Sequence, residues 1–146
     1  MVIETDDAKL VHLDQQLCFK LYAASRLIIR AYKPLLERMG VTYPQYLVLM
    51  VLWQSNSAVT VGCLGEKLML DSGTLTPLIK RMEVLGLVSR QRGLADERQV
   101  WVQLNDAGKA LQPIAIQWVK QVSVYSPDLD LAELRTQLKV LMDKLG

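Results

Sequence analysis

Between residues 60 and 104 the chain carries one ordered run of signals that few folds can satisfy. A short apolar-periodic segment is followed by a turn, a second such segment that opens on hydroxyls, and two β-prone stretches around a basic turn. Thr60 can cap the first segment, whose Val61, Leu64 and Leu68 fall on one helical face. Asp71 or Ser72 opens the second, which places Leu75, Leu78, Ile79, Met82 and Leu85 before a terminating Gly86. Two helices joined by about three residues predict a helix-turn-helix. Pro77 would lie beyond the first turn if Asp71 is the cap, which predicts a start nearer Thr74 or an irregular first turn. Residues 87–91 and 99–104 then read as strands, the second alternating Val100, Val102 and Leu104. The turn-rich Arg92-Gly93-Leu94-Ala95-Asp96-Glu97-Arg98 between them makes a hairpin with a basic tip, a wing.

The flanks are helical. Leu10, Leu13, Leu17, Leu21, Ala24 and Ile28 share a stripe, predicting a long first helix over residues 10–32. Pro34 should kink or stop it near Lys33, with a short continuation ending at Gly40. Thr42 and Gln45 have the spacing of a capping box ahead of a second helix over 46–53. Asn105 caps a fifth helix running past Leu111, Ile114 and Trp118 to about Tyr125, bent at Pro113. Pro127 with Asp128 or Asp130 starts a sixth, carrying Leu131, Leu134, Leu138, Leu141 and Leu145. The expected architecture is mainly α with a small β wing: a winged helix-turn-helix over about residues 42–104, flanked by dimerisation helices over about 9–39 and 105–146. Trp118, Val122, Leu138 and Leu141 exceed what one small core covers. A two-fold symmetric dimer through the first, fifth and sixth helices would bury them; the alternative is a monomer whose terminal helices pack together.

Composition narrows the functions. With 17 Lys and Arg against 15 Asp and Glu, the net charge is +2, so any nucleic-acid surface must come from local clustering. Such a cluster exists: residues 72–92 hold Lys80, Arg81, Arg90 and Arg92 against Glu83. The longest apolar run, residues 46–53, is far short of the roughly 20 that a membrane span needs. Residues 1–7 carry three acidic side chains and no basic one, unlike an export signal, so a cytoplasmic location is expected. Two cysteines and one histidine cannot supply a structural zinc site, and no cofactor or metal is expected.

A helix entering a major groove here would offer Ser72, Thr74 and Thr76 as hydroxyl partners. The Pro77 ring would serve a thymine methyl, and Lys80 or Arg81 phosphate or guanine. Arg98 at the wing, oriented by Asp96, suits the negative potential of the adjacent minor groove. Surface helices also carry Lys and Arg merely for solubility, but the order of helix, turn, Thr-rich helix and Arg-tipped hairpin favours double-stranded DNA. A dimer would bind two half-sites about 34 Å apart in a pseudo-palindromic operator.

On the first helix Cys18, Tyr22, Ser25, Ile29 and Tyr32 share a face. Tyr22 lies ~6 Å from Cys18 along the axis, whereas Tyr32 lies ~21 Å away, reachable only in an antiparallel crossing of two first helices. A phenol beside a thiol can stabilise the thiolate, the form that attacks peroxides. The competing reading is that free cysteine usually acts as a small buried hydrophobe. Cys63, without a tyrosine cluster, reads as structural.

Six stretches then combine: Gln16-Leu17-Cys18-Phe19, Leu21-Tyr22-Ala23-Ala24-Ser25-Arg26, Tyr32-Lys33-Pro34-Leu35-Leu36, Thr42-Tyr43-Pro44-Gln45-Tyr46-Leu47-Val48, Leu70-Asp71-Ser72-Gly73-Thr74-Leu75-Thr76-Pro77-Leu78 and Asp96-Glu97-Arg98. From about residue 14 to 112 the chain resembles the one-cysteine organic-hydroperoxide-sensing repressors of the MarR family. The resemblance implies a dimeric repressor, not an enzyme, that holds its operator when reduced and releases it when an organic hydroperoxide oxidises the thiol matching Cys18. Tyrosines matching Tyr22, Tyr32 and Tyr43 would surround that thiol, the latter two from the partner subunit. DNA contacts would fall on Ser72, Thr74, Thr76, Pro77, Lys80 and Arg81, and in the wing on Arg92, Asp96 and Arg98. Two-cysteine members carry a resolving cysteine between the last two helices, but residues 121–130 hold none. Cys18 sulfenic acid would then be captured by a low-molecular-weight thiol or a backbone amide, or be overoxidised, with a Cys18–Cys63 bridge as the residual route. Two rival readings stand: a MarR-type repressor released by a non-covalent aromatic ligand, and a thiol peroxidase, for which Arg26 is two turns too far to polarise a peroxide.

Overall fold

The computed structural model describes residues 6–146, so the first five residues of the acidic start lie outside the described part. Seven α-helices follow two 3-10 turns, Asp6–Val11 and Leu13–Gln15: α1 Leu17–Ala31, α2 Lys33–Met39, α3 Tyr43–Ser55, α4 Val61–Leu68, α5 Ser72–Val84, α6 Asp106–Gln121 and α7 Leu131–Leu145. Three short strands, β1 Val59–Thr60, β2 Val88–Arg92 and β3 Val100–Leu104, form one antiparallel sheet in the order β1-β3-β2. Among the described residues no helix is long and apolar enough to cross a membrane.

The long first helix is divided at both ends. Its expected first turns are 3-10, because extended Gln16 sends its side-chain amide back to the carbonyls of Leu10 at 2.7 Å and His12 at 2.9 Å. At the other end α1 stops before Tyr32, and Pro34 sits in the first turn of α2, which closes on left-handed Gly40 at φ 70°. Cys18 is therefore the second residue of α1 rather than a mid-helix position.

Capping fixes the centre. Thr42 and Gln45 form the reciprocal capping box of α3, with bonds of 3.4 and 2.9 Å. Thr60 caps α4 through the Cys63 amide at 3.1 Å, and Asp71 caps α5 through Thr74 at 2.7 Å. The later start near Thr74 is not taken. The Asp71 cap holds the first turn, and Pro77 is absorbed inside α5, where its missing N–H faces the carbonyl of Gly73. The α4–α5 turn is tight, since a Cβ on Gly65 would lie 2.7 Å from the Leu70 carbonyl.

The hairpin register pairs Val88 with Leu104 and Arg92 with Val100, one residue later on β2 than expected. Strand β1 escaped the sequence reading because two residues, Val59 and Thr60, carry no periodicity; they pair with Val102 and Trp101. Helix α6 ends at Gln121, short of Tyr125. The core gathers Leu35 of α2, Val48, Leu49 and Leu52 of α3, Leu64 of α4, Leu75, Ile79 and Met82 of α5, and Val88 and Val102 of the sheet. By contrast, neither α1 nor α7 contains a buried residue.

Candidate nucleic-acid interface and thiol site

Burial of Leu75, Ile79 and Met82 rotates the opposite face of α5 outward. That face exposes Ser72, Thr74, Pro77, Lys80 and Arg81, while Thr76 is half-buried. In the wing, Arg92 Nη1 donates to the Glu97 carbonyl at 3.0 Å, which closes the loop. Asp96 Oδ1 accepts from the Arg98 amide at 3.0 Å and from its Nε at 3.2 Å, yet the Arg98 side chain remains 92% exposed. Asp96 thus orients the guanidinium without covering it. The hydroxyl and cation face of α5 and the arginine tip of the wing are both presented to solvent.

Arg90 is not a free cation. Its amide donates to Glu83 Oε2 at 3.1 Å, and its Nε and Nη2 donate to Glu83 Oε1 at 3.3 and 3.1 Å. These bonds hold the Glu83 carboxyl below the usual carboxylate range. Charge counting alone could not separate this structural pair from the exposed arginines; the seven-residue spacing across a helix-to-strand turn was the available signal.

The thiol positions divide into two groups. Cys18 is exposed, and Tyr22 turns an exposed ring to the Arg26 guanidinium at 4.9 Å. Tyr32 and Tyr43 instead belong to an aromatic cluster. Tyr32 lies 6.1 Å from Tyr43, 6.2 Å from Tyr46 and 5.1 Å from Trp118, ring centre to ring centre. Burial, then a hydrogen bond with Tyr125, raises the Tyr32 hydroxyl above its ordinary value, and burial raises Tyr43 and Tyr46. These phenols stay protonated and keep their capacity to donate. Tyr46, Trp118 and Tyr125 were not among the sequence candidates, because loop and core placement decides their membership. Cys63 is free and half-buried at the capped start of α4. Among the described residues no cluster of His, Cys, Asp and Glu could hold a metal.

A capped helix presenting hydroxyls and cations, seated on a second helix and flanked by an arginine-tipped hairpin, defines a winged-helix DNA-binding regulator. Comparison with known proteins agrees. A family model described as transcriptional regulator SarA/Rot matches residues 30–112. The organic hydroperoxide resistance transcriptional regulator of Bacillus subtilis (strain 168) is 45% identical over 136 residues, covering 91% of each chain. Among solved structures, reduced AbfR bound to DNA has a TM-score of 0.81 at 34% identity, covering 96% of this chain and 98% of that one. Overoxidised AbfR bound to DNA has a TM-score of 0.80 at 35% identity, covering 96% and 99%; AbfR is a Staphylococcus epidermidis protein. The chain belongs to the organic hydroperoxide resistance regulators of the MarR winged-helix family, and it is a transcriptional regulator, not an enzyme.

Proposed function

We propose that this chain is a dimeric, redox-responsive repressor whose trigger is Cys18. The observation that carries the reading is the layout of α1. None of its residues is fully buried within its own chain, and it bears an exposed thiol at one end, while a protonated phenol cluster stands at the other. The ends are ~21 Å apart, so antiparallel crossing of two such helices sets each thiol beside Tyr32 and Tyr43 of the partner subunit. In this arrangement residues 9–39 and 105–146 make the dimer and residues 42–104 read DNA. The reading head contacts a pseudo-palindromic operator through Ser72, Thr74, Thr76, Pro77, Lys80 and Arg81, with Arg92, Asp96 and Arg98 in the wing.

The Cys18 thiolate attacks the distal oxygen of an organic hydroperoxide. An S–O bond forms, the O–O bond breaks, and the alcohol leaves after protonation; sulfur is oxidised and the peroxide reduced. A low-molecular-weight thiol then displaces water from the sulfenic acid, giving a mixed disulfide. Overoxidised AbfR is bound to DNA, which favours this bulkier product over sulfinic acid as the one that releases the operator. A group of that size at the crossing forces the interface to repack and moves two recognition helices out of register with grooves one turn apart. Full switching needs ~5.5 kcal/mol, within reach of lost hydrogen bonds and steric conflict at two symmetric sites. Mobility shifts with reduced protein and with cumene hydroperoxide plus a small thiol test this. Wild type should leave its operator and Cys18→Ser should stay; release of the serine variant refutes the scheme.

A further inference from the structure

The joint between α6 and the reading head is built unlike a hinge. Asn105 stands at the N-cap of α6 with cap-like backbone angles, but its side chain does not cap that helix. Its Nδ2 donates to the Gly86 carbonyl at 3.2 Å, and its Oδ1 accepts from the Ser89 hydroxyl. Its backbone amide donates to the Leu87 carbonyl at 2.9 Å. One residue thus grips three positions, Gly86, Leu87 and Ser89, of the corner where α5 turns into β2.

A second contact closes the joint from the other side. Buried Gly108, in the first turn of α6, lies so near this corner that a Cβ there would come within 2.3 Å of the Leu87 carbonyl. The Gly108 carbonyl accepts from Trp53 Nε1 of α3 at 3.0 Å. Two residues before Asn105, β3 pairs with Ser89 of β2, so the same corner is also held by the sheet. The N-terminal turn of α6, the end of the recognition helix and the root of the wing are therefore tied to one another by direct contacts. Further along, α6 exposes Ile116 and Val119, while its Trp118 packs against the core and the Tyr32 ring.

We infer that Asn105 is a positioning residue that couples the interface end of α6 to the recognition helix and wing, so that a displacement at one end is delivered to the other through the Gly86–Ser89 corner. It gives up the ordinary capping bond in exchange for bonds to a different element. The bonds span an element boundary at which a flexible loop would absorb motion. This rests on the redox reading above for the identity of the signal, but the mechanical coupling itself does not.

The test uses full-length wild type, Asn105→Ala and Ser89→Ala with two readouts. Hydrogen exchange is measured with and without operator DNA. In wild type the operator should slow exchange at amides 106–109 about fivefold or more, and in Asn105→Ala less than about twofold, with α5 protected equally in both. The ratio of operator affinities before and after hydroperoxide treatment should shrink at least about fivefold in Asn105→Ala, with Ser89→Ala intermediate. A residue that only stabilised the fold would lower the melting temperature and leave both readouts unchanged, which overturns the inference. Equal protection of amides 106–109 in wild type and Asn105→Ala overturns it too. Wild type that ignores hydroperoxide refutes the redox reading alone, and the exchange comparison still decides the coupling.

Discussion

The division of arginines into exposed and clamped makes a quantitative claim about salt. Lys80 and Arg81 on α5 and Arg92 and Arg98 in the wing are exposed, whereas Arg90 spends its guanidinium on Glu83. In the proposed dimer four cations per protomer would give eight phosphate neutralisations, so log K should fall with log salt at a slope of about −7. Between about 50 and 200 mM salt the affinity should drop by about four orders of magnitude. Fluorescence anisotropy with a labelled operator across that range measures the slope directly. Arg98→Ala removes two contacts and should flatten it by about 2. Arg90→Ala should weaken binding by loosening the wing from α5 while leaving the slope within about 0.5 of wild type. A wild-type slope shallower than about −3, or equal flattening by the two substitutions, would refute the assignment of these arginines.

Two further outcomes follow from the packing. Gly108→Ala gains up to ~1 kcal/mol of helix propensity, but its methyl meets the Leu87 carbonyl and lies 2.9 Å from Leu104 Cδ2; overpacking at a cost of about 1–3 kcal/mol should lower the urea midpoint, and a variant as stable as wild type would contradict the close approach. Arg90 hydrogen bonds hold the folded Glu83 carboxyl below its unfolded value, so its stabilisation is full above the unfolded carboxyl range and lost as pH falls through the lowered folded value. The gap in urea midpoint between wild type and Glu83→Gln should therefore close over that window, and a gap constant with pH would exclude the linkage.

Local chemistry made most of the fold readable. Caps at Thr42 and Thr60, the stop at Gly40 and the hairpin around residues 92–98 depend on neighbours a few positions away, and each lies where the sequence indicates; for α5 the structure selects Asp71 over the later start that Pro77 suggested. The errors came from side chains that bond elsewhere than the helix pattern implies. Gln16 diverts its amide to the Leu10 and His12 carbonyls and cuts the first helix short, and Asn105 satisfies Gly86 and Ser89 instead of its own helix. At the candidate site, the exposed face of α5 was legible from the buried triplet Leu75, Ile79 and Met82. The Glu83–Arg90 clamp and the joining of Tyr46, Trp118 and Tyr125 to the phenol cluster were not, since each requires knowing which elements meet.

Two 15-residue helices, α1 and α7, bury no residue fully within their own chain. In the proposed dimer their order is lent in part by the partner subunit, and lending of that kind obeys mass action. With such a dimer copy number becomes a structural variable: a cell holding few of these molecules would keep each one closer to unravelling at its ends than a cell holding many.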